Sequence, residues 1–253
     1  MIIEEISGND SFIYHLDPRV KIIIAFLFSV IVAVSNRFVV LIAALAVSII
    51  ILFSARIQIK EVFKRLIPVN TLLIFLWLFL PFTFAGEHLF FSIGFLTGTR
   101  EGVLFAFRIT IKSNAIMLML ISLTASTPIF TIGHAMHQLG MPKKLIQLFL
   151  FTYRYLHVIY GEYARLINSM KIRGFKPKTD LHTYKSYAYL VGMLLVKGFD
   201  RSQRVHNAMM CRGFSGKLYS LSEFSIKGAD ILAFAFMATI ILILGILEWT
   251  QIT

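Results

Sequence analysis

What most limits the fold of this chain is the length of its apolar runs. Val20–Ser35, Phe38–Ser54, Leu66–Phe84 and Ala229–Leu247 approach or reach the roughly 20 residues that a helix needs to cross a bilayer. A fifth run, Val103–Ala125, is apolar apart from Arg108 and Lys112. Only Asn36 and Arg37 separate the first two runs, which therefore read as a tight helical hairpin. Asp17 is a good N-cap for the first helix and Pro18 suits its first position, where the missing N–H costs nothing. Hydrophobic residues make up 57% of the chain and charged ones 15%, too oily a balance for a water-soluble domain. The acidic start, "MIIEEISGND", lacks the positive region of a secretory signal, so the first run is read as a retained helix. The single cysteine, Cys211, allows neither an intrachain disulfide nor a cysteine-based zinc site.

Net charge is +12, which invites a nucleic-acid reading, but its distribution argues otherwise. Between Ser126 and Gly228 stand fifteen Lys and Arg against four acids; the rest of the chain is nearly neutral. Basic stretches between apolar helices are what the positive-inside rule expects of cytoplasmic loops. "ARIQIKEVFKR" (Ala55–Arg65) and the segment 126–228 are accordingly placed in the cytoplasm of a cell-membrane protein, and the glycine-bearing loop 85–102 outside. Five crossings put the N-terminus inside and the C-terminus outside. The expected fold is all-α: membrane helices over 1–125, a cytoplasmic segment of long amphipathic helices over 126–228, and a last membrane helix over 229–253.

Within the basic segment, Thr127 and Pro128 open a helix, Gly140 ends it and Pro142 opens another. From Pro142 to Ile172, apolar residues recur at the spacing of one buried helical face, over roughly 46 Å at 1.5 Å per residue. A second long helix is expected from about Ser186 to Arg212, with a seam at Leu194, Gly198, Val205 and Met209. The ends of these two helices spell nearly the same phrase. "RLINSMKIRGF" (Arg165–Phe175) and "RVHNAMMCRGF" (Arg204–Phe214) lie 39 residues apart and agree at six of eleven positions. Arginine in a last turn complements the helix dipole and Gly beyond it supplies a left-handed cap, so one such ending needs no function. Capping alone gives no reason for Asn, Met and Phe to recur at matching offsets. Two matching basic tips suit two matching receptors, each tip entering a groove on a cytoplasmic subunit, with Arg165 or Arg204 two turns back pairing acidic residues there.

The paired "IRGF" and "CRGF", the early "LDPRVKI", the stretch "STPIFTIGHAMHQLGMPKKLIQLFLFTYRYLHVIYGEYARL" and the wording "AMMCRGFSGKLYSL" resemble the transmembrane T component of energy-coupling factor (ECF) transporters. The closest wording is that of the cobalt-transport branch, the CbiQ family. The resemblance covers roughly residues 14 to 245. It implies a subunit that binds no substrate, carries no cofactor and is no enzyme, and that couples two cytosolic ABC-type ATPases to a separate substrate-capturing integral membrane subunit importing cobalt or nickel. Arg173 with Gly174, and Arg212 with Gly213, are then the ATPase-docking tips, and the seam residues Leu194 and Met209 face the substrate subunit. The family commonly has Ala before each Arg, where this chain has Ile172 and Cys211.

Other chemistries find less in the sequence. "RGFSGKLYS" lacks the spacing of a phosphate-binding loop because Cys211 stands where the first Gly belongs. His134 and His137 share a helix face, but without a third donor they make a poor metal site; His15, His88, His157, His182 and His206 are scattered. The five Asp residues are unpaired, which leaves an intramembrane transferase without its metal-binding cluster, and no membrane repeat supports the alternative of an ion-gradient-driven secondary transporter. Arg108 and Lys112, four apart on one face, are costly at membrane depth and are expected to face the bundle interior, holding the membrane part against the cytoplasmic helices.

Overall fold

The structure, a computed structural model, describes residues 13, 16–83, 89–93, 96–124, 127–215 and 228–250. The acidic start, His15, His88, the ends of two apolar runs at Phe84 and Ala125, and the wording beyond Ser215 lie outside these residues. The described elements are α1 (Pro18–Val34), α2 (Phe38–Ser54), α3 (Ile59–Thr83), β1 (Leu89–Ile93), β2 (Leu96–Thr99), α4 (Arg100–Thr124), α5 (Ile129–Gln138), α6 (Lys143–Ile172), α7 (Leu181–Cys211) and α8 (Gly228–Trp249). They form two compact units, one of residues 1–135 with 224–253, the other of 136–223.

The first unit is the helix bundle. Its core joins α1 (Phe28, Val32), α2 (Leu41, Ala44), α4 (Ala115, Met119) and α8 (Ile241, Leu244). Ala44 and Ser48, one turn apart on α2, are both wholly buried. Small residues at that spacing let backbones approach closely, and such packing substitutes for the hydrophobic driving force that lipid-exposed helices lack. α3 packs on α4, where Trp77 Nε1 donates to Thr110 Oγ1 at 2.9 Å and Asn114 Nδ2 to Asn70 Oδ1 at 3.2 Å. The outward side of α3, including Leu72, Ile74, Phe75 and Leu78, is exposed.

Polar ties fix the directions of these helices. Asp17 caps α1 by accepting from Arg19 N, and its own N–H donates to Asp230 Oδ1 in the first turn of α8 at 2.9 Å. At the other end, Asn36 N donates to Glu248 Oε1 at 2.9 Å and Arg37 Nη1 to Leu247 O at 3.3 Å. α1 and α8 therefore run parallel. Lys21 Nζ donates to Thr127 Oγ1, just beyond α4, at 3.2 Å, so α4 runs opposite to α1.

One expectation changes. The loop expected over 85–102 contains an antiparallel hairpin, β1 with β2, in the register Leu89↔Thr99 to Ile93↔Leu96 with an irregularity between Leu89 and Phe91. "LFFSI" is rich in β-formers, and short strands of this kind leave no helical period to read. The hairpin leads straight into α4, where a Cβ on Gly102 would lie 3.0 Å from both Leu80 O and Pro81 Cα. Among the described residues, three helices are long and apolar enough to cross a membrane by length and composition: Ile59–Pro81, Arg100–Thr124 and Gly228–Trp249. α1 and α2 have 17 residues each, about 25 Å against a hydrocarbon core of roughly 30 Å.

The second unit contains α6 and α7. α7 starts at Leu181, five residues before the expected Ser186, with the exposed His182 and Tyr184 in the added turn. That turn was hidden because "LHTYK" is polar, yet Thr183 Oγ1 closes it by accepting from Lys178 N at 3.2 Å. In these two helices only Ile146, Thr183 and Leu190 are buried. The apolar face expected to be buried on α6 is instead open at Leu145, Leu148, Leu156, Ile159 and Tyr163. A face of that composition requires lipid or another polypeptide to cover it.

Candidate functional site

The two repeated phrases form the same local structure. At the end of α6, Gly174 has φ +79°, its N–H donates to Lys171 O at 3.0 Å and Phe175 N donates to Met170 O at 3.1 Å. At the end of α7, Gly213 has φ +77°, its N–H donates to Met210 O at 3.0 Å and Phe214 N to Met209 O at 3.0 Å. Both are Schellman caps, which satisfy carbonyls that a helix end otherwise leaves open and often pair an apolar residue beyond the cap with one in the last turn.

A third helix end supplies the control. α5 finishes with Gly140 at φ +97°, Gly140 N donating to His137 O and Met141 N to Met136 O, both at 3.1 Å. The same cap is thus built with Met at the first position, Gly at the fifth and an apolar residue at the sixth. Met at the first position and an apolar residue at the sixth, which sequence reasoning left without a local cause, thus fit the cap as Gly does. Leu139 occupies the place of Arg173 and Arg212, and Thr131 and His134 those of Arg165/Arg204 and Asn168/Asn207. Capping requires neither arginine nor asparagine. Arg173, Arg212, Arg165 and Arg204 are all exposed, as are Asn168 and Asn207.

The two ends differ in their surroundings. The ring of Phe175 lies edge-on to Tyr187 with centroids 5.8 Å apart and 6.5 Å from His182, folding the first tip against the start of α7. Eleven residues before Arg173, Glu162 bonds Lys197 of α7 and Arg165 of its own helix. The hydrogen bond from Lys197, with Arg165 beside it, holds the Glu162 carboxyl below the ordinary carboxylate range against a smaller opposing effect of desolvation. Its counterpart 39 residues on is Arg201, so the second shank carries Arg201 and Arg204 where the first carries Glu162 and Arg165.

Two grooves share Ile159, Gly198 and Arg201 between α6 and α7. One, of about 510 Å³, is mostly apolar and includes Leu148, Phe151, Leu156, Val205 and Met209. The other, of about 320 Å³, is charged and includes Leu194 with Glu162, Lys197, Asp200 and Arg204. Leu194 and Met209, placed on one seam by spacing, thus line different grooves.

Arg108 and Lys112 find partners within the helix bundle. Lys112 Nζ donates to Ala33 O at 2.9 Å and to Asn36 Oδ1 at 3.1 Å, while the Arg108 guanidinium lies 4.9 Å from the centre of the Phe38 ring. They grip the α1–α2 turn, whose carbonyls and Asn36 amide carry no apolar signature from which sequence could have foreseen it. Among the described residues no three His, Cys, Asp or Glu side chains converge as a metal site.

Three described helices long and apolar enough to cross a bilayer give the chain the character of a membrane protein, and a helix pair outside them ends in matched Arg-Gly caps. A family model described as "Cobalt transport protein", CbiQ, matches residues 9–221, and the chain belongs to that family. It is 24% identical over 255 residues to the energy-coupling factor transporter transmembrane protein EcfT of Staphylococcus aureus, covering 96% of this chain and 95% of that one. It is 25% identical over 218 residues to the EcfT of Lactococcus lactis subsp. cremoris, covering 82% of each. That family is one of transporter components, and these two relatives are transmembrane components of energy-coupling factor transporters.

Proposed function

We propose that this protein is the energy-coupling subunit of an ATP-driven ECF-type importer for cobalt or nickel, and that its two Arg-Gly helix ends dock two cytosolic ABC-type ATPases. The observation that carries the reading is the contrast among the three caps. All three have the same hydrogen bonds and a left-handed Gly, yet only the ends of α6 and α7 set an exposed arginine before it. Arg173 and Arg212 would each enter an acidic socket through charge-assisted hydrogen bonds. Arg204 and Arg201 would add contacts along the second shank, while Arg165 would exchange Glu162 for a partner carboxylate on docking.

The apolar groove that includes Met209 suits a membrane helix of the substrate-capturing subunit, because its open Leu, Phe and Val side chains match such a surface in character. Leu194, in the charged groove, suits a rim contact. Closure of the ATPase pair around nucleotide would then move the two tips, and α6 and α7 would carry that displacement to the groove. Five crossings of the cell membrane, with residues 126–228 on the cytoplasmic side, agree with the positive-inside distribution and with the alternating directions of α1, α4 and α8.

Purifying the tagged chain from native membrane and identifying its partners by mass tests the assignment. Two copies of an ATPase, or one each of two related ATPases, with a small apolar membrane protein are expected. A preparation that transports cobalt and nickel on an ion gradient, with no ATPase present, would overturn it.

A further inference from the structure

The start of α1 carries a cluster of charges that the docking reading does not use. Asp17, Lys21 and Asp230 are all buried, at 6%, 3% and 3% exposure. Asp230 accepts from Asp17 N at 2.9 Å, Asp17 accepts from Arg19 N at 2.9 Å, and Lys21 Nζ donates to Thr127 Oγ1 at 3.2 Å. The Lys21 ammonium lies in electrostatic range of both carboxylates, and Arg19 Nε stands 3.8 Å from Asp17 Oδ1. Two acids face two bases, so the cluster is neutral as a whole. Asp230 also lies in the first turn of α8 and caps the N-terminal side of α1, where two helix dipoles favour an anion.

The location matters more than the charge. Thr127 lies in the last described stretch before the chain enters the second unit, and Asp230 in the first turn of the helix with which it resumes the first. The chain just beyond α4 and the first turn of α8 are thus both tied to one point, the start of α1. A bundle held mainly by apolar packing in lipid resists sliding weakly, whereas a cluster of buried, mutually compensating charges holds a register because removing one leaves the others uncompensated.

We propose that Lys21 is a positioning residue of the coupling cycle. Together with Asp17 and Asp230 it pins the outgoing and returning chain to the membrane bundle, so that displacement of the α6 and α7 ends is transmitted and not lost in slack at the two connections. The proposal rests on the docking reading, since it concerns what happens after the ATPases are engaged. It assigns the cluster to transmission and not to docking.

The test uses the complete transporter reconstituted in lipid vesicles, with cobalt(II) and nickel(II) uptake and ATP hydrolysis measured on one preparation. Lys21→Met should retain the wild-type yield of bound ATPase and hydrolyse ATP, but move about tenfold less ion per ATP, a typical size for coupling between sites. Asp230→Asn keeps an acceptor for Asp17 N while removing the charge, and should give a loss of the same kind. Exchanging the pair, Lys21→Asp with Asp230→Lys, should recover part of the ratio, which a merely structural role would not produce. A wild-type ratio in both single variants overturns the proposal. So does loss of the assembled complex in both, which would make the cluster a folding element. Absence of ATPase from the wild-type preparation would instead be failure of the docking reading.

Discussion

Replacing Gly174 or Gly213 by Ala separates the local work of the cap from whatever the arginine does. Both glycines have φ near +80°, and a Cβ at either position would meet nothing within 4 Å, so the penalty is conformational and not steric. Holding an L-residue in the left-handed region costs about 1–2 kcal/mol. Part of that is offset, because Gly→Ala also removes about 0.4–1 kcal/mol of unfolded-chain entropy. The net of about 1 kcal/mol corresponds to a roughly fivefold rise in the open cap. Amide hydrogen exchange at Phe175 and Phe214, whose N–H groups close the caps, reads this directly. Exchange at Phe175 should quicken about fivefold in Gly174→Ala and by less in Gly174→Asn, since Asn tolerates the left-handed region better. Phe214 should behave likewise for Gly213. Apparent ATPase affinity should fall by no more than the same factor, because only the competent fraction changes. Unchanged exchange in the Ala variants, or an equal rise at both tips from a single substitution, would refute the argument.

Ala44→Leu should overpack the core, costing about 1–3 kcal/mol and lowering the thermal unfolding temperature in detergent, whereas Ala44→Gly should cost less. Lys112→Met removes both bonds to the α1–α2 turn; a loss of about 1 kcal/mol is expected for this partly exposed group, measured by the same unfolding assay, with Lys112→Arg closer to wild type. Because the Glu162 pKa is depressed in the fold, its tie to Lys197 should be complete at neutral pH, begin to weaken as pH falls through the ordinary value of about 4.3, and vanish below its lowered value. Paired spin labels on α6 and α7 should therefore report a broader distance distribution in acid, and Glu162→Gln should show that broadening already at pH 7.

The sequence made the helices legible because apolar runs and Gly-Pro punctuation each follow from backbone physics. Asp17 and Pro18 open α1 as their chemistry requires, and Gly140, Gly174 and Gly213 each close a helix in the left-handed conformation. What stayed hidden lies between elements distant in the chain. Nothing near Lys112 in sequence announces Ala33 or Asn36, and nothing near Asp17 announces Asp230. The repeated phrase was legible as a repeat but not as two separable effects. Only the α5 end, with Leu139 in the arginine position, shows that the cap's hydrogen bonds form with Met, Gly and an apolar residue and need no arginine. Spacing also placed Leu194 and Met209 together, because it cannot register that two crossing helices leave a groove on either side.

The most direct measurement of the docking account is the amount of ATPase that co-purifies with the double variant Arg173→Glu, Arg212→Glu. Charge reversal at two exposed cap positions leaves every cap hydrogen bond in place, so the protein should insert in the membrane at normal yield while its bound ATPase falls to background. Full retention of the ATPase by that variant would contradict the account.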